Sequence, residues 1–133
     1  MHNARAVLGR SGENAAVSWL MAHGYEILDR NWRYGKWELD IICRHAGVIH
    51  FVEVKTRSGS AFGGAVRAVG QPQRRRLLLA AQAWLATREL WNSPCQFDVI
   101  CLIGSGKTLR VERYADAFSW EIMGGGDAHW QHW

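Results

Sequence analysis

Cysteine is scarce in this chain, and long hydrophobic runs are missing. The three cysteines, Cys43, Cys95 and Cys101, are scattered in apolar surroundings and lack the close pairing of zinc ligands. Their odd number also argues against a disulfide framework, so we expect reduced core residues. No apolar run reaches membrane-spanning length, and the polar N-terminal residues do not open a secretory signal. We therefore expect a cytoplasmic protein that does not enter a membrane.

Lysine is also scarce, whereas arginine is abundant. The chain has 3 lysines, 13 arginines and a formal net charge of +4. A guanidinium group offers a planar fork that suits phosphate oxygens, while a lysine acts as a point charge. The composition therefore favours a polyanionic partner, of which nucleic acid is the usual case.

The hydrophobic pattern predicts a mixed α/β fold. Helical spacing of apolar residues predicts helices at residues 5–23 and 72–89. Short apolar runs between turn residues predict strands at residues 25–32, 37–43, 48–56 and 96–103. We expect the second and third strands to form an antiparallel hairpin. The core order is then αβββαβ, one mixed β-sheet flanked by helices.

The ends of the pattern are less regular. Residues 109–113 are a candidate partner for the last predicted strand, and residues 114–120 are predicted to form a short helical turn. Glycine and serine at residues 58–64 predict a flexible loop. We expect a single domain over residues 1–122 and a flexible C-terminal tail over residues 123–133.

Two predicted strands carry acids among apolar residues. Side chains alternate along a strand, so Glu38 and Asp40 should share one face, and Glu53 and Lys55 should share one face of the next strand. Buried charges without a partner are costly. Asp40 and Glu53 could instead approach one Mg²⁺ or Mn²⁺ ion, which prefers oxygen ligands. The alternative is an ordinary Glu53–Lys55 pair on a solvent-facing strand.

Further polar residues could complete such a site. Glu13 lies on the apolar stripe of the first helix, with Ala16, Val17, Leu20 and Met21, and could support the metal shell or simply favour the helix dipole. Glu38 could be a further ligand or the acid nearest to solvent.

Several residues after the acidic strands could contact phosphate. Gln73 could hold a phosphate or the attacking water, or could be a polar residue of the helix start. Arg74, Arg75 and Arg76 fan around the same helix, where they could grip a nucleic-acid backbone or form a solvated face. Arg57 follows the acidic strand and opens the glycine-rich segment.

Five motifs occur in an order that resembles the YraN-like family, bacterial proteins predicted to be nucleases. They are GRSGENAA at 9–16, GYEILDRN at 24–31, ELDII at 38–42, FVEVKTR at 51–57 and FDVI at 97–100. That family is similar to the PD-(D/E)xK, restriction-endonuclease-like superfamily and to archaeal Holliday-junction resolvases. The resemblance spans about residues 5–120 and implies a restriction-endonuclease-like fold.

The resemblance also implies roles for single residues. Asp40 stands at the central metal-binding acid, Glu53 and Lys55 at the (D/E)xK pair, and Glu13 at the helix acid of resolvase-like members. The backbone carbonyl of Val54 would be a further metal ligand. Two residues depart from the family pattern: Trp37 stands where the family usually has glycine, and Gln73 where many members have lysine.

The leading hypothesis is a Mg²⁺- or Mn²⁺-dependent endonuclease acting on nucleic acid, DNA in preference to RNA. Cleavage of branched or junction DNA would favour a homodimer, because two strands need two sites. A second hypothesis is a nucleic-acid-binding module that does not cleave, within a repair or replication assembly. A third is a metal-dependent hydrolase of a small phosphate ester.

Overall fold

The computed structural model describes residues 4–57, 71–104 and 109–118. Helix α1 (Ala4–Ala22) precedes three strands, β1 (Glu26–Tyr34), β2 (Trp37–His45) and β3 (Val48–Arg57). Helix α2 (Gln71–Thr87) then leads to β4 (Cys95–Ile103) and β5 (Arg110–Phe118). The sheet order is β1-β2-β3-β4-β5, with β3 and β4 parallel and the other neighbours antiparallel. The predicted mixed sheet flanked by helices is confirmed.

A tight turn fixes the register of the predicted β2–β3 hairpin. His45 pairs with Val48, so only Ala46 and Gly47 connect the strands. Both have positive φ, 52° and 80°. A two-residue turn with positive φ at both positions follows the right-handed twist of the strands it joins.

The two helices cover opposite faces of the sheet. On one face, Leu78, Ala81 and Trp84 of α2 pack with Phe51 and Phe97. On the other, Ala16 and Leu20 of α1 pack with buried residues of β2, β3 and β4, namely Ile41, Cys43, Val52, Ile100 and Leu102. These faces are called the α2 face and the α1 face below.

Gly12 brings α1 unusually close to the sheet. A Cβ atom at this position would lie 2.6 Å from Thr56 Cγ2 and 3.1 Å from Leu102 Cδ1. Gly12, Ala16 and Leu20 are all buried and follow one another at helical spacing. Met21, which the pattern placed on the buried stripe, is instead 61% exposed.

The end of the sheet differs from the prediction. The predicted pairing of residues 109–113 with β4 is confirmed, but Tyr114–Phe118 continues β5 and forms no helical turn. A bulge between the Val99–Tyr114 and Phe97–Phe118 pairs lets the strand continue. Asp116 lies in this bulge with φ of 52°, and its N–H donates to Asp98 Oδ1 at 2.9 Å.

Asp98 is the centre of a buried polar network on the α1 face. It is fully buried, and its Oδ2 accepts hydrogen bonds from His50 Nδ1 at 2.8 Å and Arg113 Nη2 at 2.9 Å. Gln96 Nε2 donates to the other carboxylate oxygen. Burial alone would raise the pKa of Asp98, but the hydrogen bonds from His50, Gln96 and the Asp116 N–H hold it below its ordinary value. The network ties β3, β4 and β5 together.

Two predictions concern residues that the structure does not describe. The loop at 58–64 and the tail at 123–133 lie outside the described residues. No helix in the described ranges is long and apolar enough to cross a membrane.

Replacing Gly12 with alanine should destabilise the protein although alanine favours helices. The new Cβ would meet the β-branched Thr56 side chain, whose rotamer is restricted in a strand. We expect a loss of about 1–3 kcal/mol in the free energy of unfolding, measured with urea. Thr56→Ser removes Cγ2, so the double variant should recover most of the loss. A double variant no more stable than Gly12→Ala would contradict this contact.

Asp98→Asn should cost about 2–4 kcal/mol of stability at pH 7, because an amide cannot accept all the bonds that the carboxylate accepts. Since the folded-state pKa is lowered, the carboxylate stabilises the protein above its unfolded pKa of about 3.9 and loses this effect as pH falls through the folded value. The difference between wild type and variant should therefore shrink in acid. Asp116→Asn is the control, because only the backbone of Asp116 bonds Asp98 and asparagine tolerates positive φ. Equal losses in both variants would refute the role of the Asp98 side chain.

Candidate metal centre and cleft

The candidate site lies where β2 and β3 stop pairing. Their ladder ends at Ile41 and Val52, and beyond it the Val54 N–H donates to Asp40 Oδ2 at 2.9 Å. The carboxylate thus takes the place of a backbone acceptor. Leu39 and Ile42 both pack on the α2 face, which regular alternation would forbid. The strand is therefore irregular at Asp40. Glu38 and Asp40, which alternation predicts on one face, nevertheless line the same cleft.

Asp40 and Glu53 form a hydrogen-bonded carboxyl pair. Burial, followed by the charge of Asp40, raises the pKa of Glu53 to about 9. Burial also raises the pKa of Asp40, although the Val54 N–H and the bond from Glu53 oppose this. Because the pKa of Glu53 is raised to about 9, the pair holds a proton near neutral pH.

Lys55 lies beside this pair. Its Nζ is 3.7 Å from Glu53 Oε1, and the two side chains are only 18% and 12% exposed. Its positive charge lowers the pKa of both acids, but less than burial raises them. The single Lys55 ammonium therefore does not offset the effect of burial, and a further cation at the pair would lower both pKa values.

Glu13 approaches the pair from α1. Burial and then the charge of Asp40 raise its pKa, while a hydrogen bond from the Asn31 side chain and the charge of Arg30 lower it. Arg30 Nη2 lies 3.8 Å from Glu13 Oε1 and also donates to Asn14 at 2.9 Å. Glu13 is thus coupled to Asp40 electrostatically while its own neighbours hold it at the end of the sheet.

An open cleft of about 360 Å³ leads to the carboxyl pair. The residues that line it come from the β1–β2 turn, β2, β3 and the start of α2: Lys36, Trp37, Glu38, Asp40, Glu53, Gln73, Arg76 and Leu77. The structure therefore brings Gln73 and Arg76 to the same cleft as Asp40 and Glu53. This volume is typical of small-ligand sites.

The other predicted residues lie around this cleft or away from it. Glu38 lines it but pairs with Arg33 Nη2 at 3.1 Å. Arg75 is exposed and Arg74 is half-buried on the same helix turn. Arg57 Nη1 bonds the Thr56 carbonyl at 2.8 Å instead of reaching the cleft lining.

The donor set fits a magnesium-type ion better than a zinc-type ion. Among residues 4–57, 71–104 and 109–118, no three His, Cys, Asp or Glu side chains are grouped as ligands of one metal. Mg²⁺ is commonly held by only one or two carboxylates and keeps several waters or phosphate oxygens. Asp40 and Glu53 could supply the two carboxylates. Their pKa values are raised mainly by burial, which disfavours the charged forms, and a bound cation would stabilise those forms.

Asn31 is a site residue that the hydrophobic pattern did not reveal. It stands opposite Asp40 in the β1–β2 register, between the Arg30–Ile41 and Trp32–Leu39 pairs. Its φ of 51° is left-handed, a conformation that asparagine adopts more easily than most residues. An asparagine inside an apolar strand pattern was the available signal, but its bond to Glu13 depends on tertiary contact.

Glu53→Gln should stabilise the metal-free protein at pH 8. The raised pKa of Glu53 means that the folded state holds a proton that the unfolded chain releases between its ordinary pKa of 4.5 and about 9. Stability from this proton is present below pH 4.5 and is lost as pH rises through that window. Glutamine is neutral and can still donate to Asp40, so we expect a gain of about 1–3 kcal/mol in urea unfolding with EDTA.

The gain from Glu53→Gln should vanish near pH 4. Glu26→Gln changes an exposed carboxylate at the start of β1, away from the cleft. It should alter stability by less than about 0.5 kcal/mol at either pH. A Glu53→Gln variant that is less stable than wild type at pH 8 would disprove the shared proton.

Sequence comparisons place the chain in a protein family. Residues 12–102 match the family described as uncharacterised protein family UPF0102. A UPF0102 protein of Nitratidesulfovibrio vulgaris is 43% identical over 134 residues, covering 100% of both chains. Others, from Lawsonia intracellularis and Syntrophotalea carbinolica, are 37% identical (95% of this chain, 96% of the relative) and 45% identical (86% and 93%). The family match covers more than half of the chain, and the chain therefore belongs to the UPF0102 family, which is the YraN family.

Proposed function

We propose that this protein is a Mg²⁺- or Mn²⁺-dependent endonuclease that hydrolyses phosphodiester bonds in DNA, with branched or junction DNA as the favoured substrate. The observation that carries the proposal is that Asp40 and Glu53, both partly buried, line one cleft, with Lys55 Nζ 3.7 Å from Glu53 Oε1.

In this proposal the carboxylates and one backbone group hold the cation. Asp40 and Glu53 would bind it, with the Val54 carbonyl as a further ligand. When bound, the cation would neutralise charge on the scissile phosphate and lower the pKa of a water molecule. Glu13 would add negative potential from α1, because its charge already interacts with that of Asp40.

Lys55 would act on the reacting atoms. Its ammonium is largely buried beside Glu53, so its charge is poorly screened by water. Such a group can orient the attacking water and stabilise the charge that develops on the phosphate. Gln73 and Arg76, on the α2 wall of the cleft, would hold phosphate oxygens, with Arg74 and Arg75 nearby and Arg57 following the acidic strand.

A second candidate is a nucleic-acid-binding module that does not cleave. It is favoured by the cations Lys36 and Arg76 at the cleft, which could hold a nucleic-acid backbone without a metal ion. A third, hydrolysis of a small phosphate ester, predicts weak salt dependence of substrate binding, whereas binding to a nucleic-acid backbone weakens steeply with salt.

Asp40→Ala should abolish cleavage while leaving DNA affinity unchanged or tighter. The test uses labelled branched, duplex and single-stranded DNA with Mg²⁺ and with Mn²⁺, and compares wild type, Asp40→Ala and Glu53→Ala. Loss of one transition-state group typically costs about 10²-fold or more in rate. Glu26→Gln, a carboxylate change away from the cleft, should retain activity.

The same assay separates the three candidates. Binding without cleavage in wild type, under every metal condition, would favour the binding module and refute the nuclease. Cleavage that survives in both Asp40→Ala and Glu53→Ala would place the active site elsewhere.

A further inference from the structure

A row of three aromatic rings continues the cleft along the β1–β2 hairpin. Trp32 pairs with Leu39 and Tyr34 with Trp37, so all three rings lie on the α2 face. The Trp32 and Tyr34 rings are parallel within 3°, with centroids 6.4 Å apart. The Tyr34 and Trp37 centroids are 5.9 Å apart. We call Trp32, Tyr34 and Trp37 the ring row.

The three side chains of the ring row differ in solvent exposure. Trp32 and Trp37 are half-buried and pack at the margin of the α2-face core. Tyr34 is 49% exposed at the end of the hairpin. The packed tryptophans hold the tyrosine ring in place, and an exposed large ring at a hairpin end contributes little to the core.

Trp37 joins the ring row to the carboxyl pair, because it lines the same cleft as Asp40 and Glu53. Two cations, Lys36 and Arg76, line that cleft as well, and both are exposed. Aromatic rings beside cations in a groove are the combination with which proteins bind single-stranded nucleic acid: bases stack on the rings and phosphates contact the cations.

We propose that Tyr34, supported by Trp32 and Trp37, stacks an unpaired base of single-stranded DNA whose backbone passes Lys36 and Arg76 toward Asp40 and Glu53. A base within a duplex has both faces covered by its neighbours and cannot stack on the ring. The site would therefore select DNA with unpaired nucleotides beside the scissile phosphate. This inference deepens the proposed function and rests on it only for cleavage.

The test measures binding of the full-length protein in EDTA, so that it does not depend on catalysis. The probes are a fluorescently labelled oligothymidylate of about 12 nucleotides, within the usual site size, and a blunt duplex of equal length. Tyr34→Ala should weaken binding of the single strand about 5- to 30-fold and leave the weaker duplex binding unchanged. Tyr34→Phe keeps the ring and should retain the affinity of wild type.

Lys36→Met is the matched control for charge. It should weaken binding of both probes and reduce the salt dependence of binding by about one phosphate contact, whereas Tyr34→Ala should leave that slope unchanged. Urea unfolding of each variant should match wild type, because both side chains are exposed.

Three outcomes of the binding test would overturn the inference: Tyr34→Ala binds the single strand as wild type does, it weakens both probes equally, or it changes the oligomeric state, which would make the ring row an interface between copies. Stacking without metal-dependent cleavage by wild type would sustain the inference and refute the nuclease. Cleavage of a fully paired duplex as fast as of a single strand would support the nuclease and refute the inference.

Discussion

The site depends on one interaction, the proton shared between Asp40 and Glu53. It exists because β2 leaves β3 at Ile41, so that Asp40 accepts the Val54 N–H and meets Glu53 in a largely dry position. Burial makes two adjacent carboxylates unfavourable, and a single ammonium at 3.7 Å does not fully compensate. Burial, followed by the charge of Asp40, raises the pKa of Glu53 to about 9, and a divalent cation in the cleft would oppose both effects by stabilising the ionised carboxylates.

The rest of the fold holds the Asp40–Glu53 carboxyl pair in place. At Gly12, α1 comes so close to Thr56 and Leu102 that the following residue, Glu13, reaches the end of the sheet. On the same face, the network around Asp98 fixes β5 to β4 through buried hydrogen bonds to both carboxylate oxygens. Burial raises the pKa of both Asp98 and Glu53, but the two acids differ in the donors that oppose it. Asp98 receives enough donors to stay ionised, whereas Glu53 does not and holds a proton.

Much of this arrangement followed from local patterns. Alternating residues predict the β2–β3 hairpin, and the charged residues within it single out Asp40, Glu53 and Lys55 from the sequence alone. The continuation of β5 past Tyr114 does not follow from local pattern, because its bulge depends on Asp98, a distant acceptor. The partner of Glu13 does not follow from local pattern either, since the left-handed Asn31 reaches α1 only in the folded chain. Local sequence pattern identifies the candidate metal-binding residues, whereas their partners depend on contacts between residues that are distant in sequence.

The most direct measurement of the central claim is isothermal titration calorimetry of Mn²⁺ or Mg²⁺ binding at pH 7.5 in buffers with different ionisation enthalpies. If the cation displaces the proton shared by Asp40 and Glu53, about one proton should be released for each metal ion bound. Glu53→Gln should abolish this release together with tight binding. Metal binding without proton release, or binding that Glu53→Gln leaves unchanged, would contradict the account.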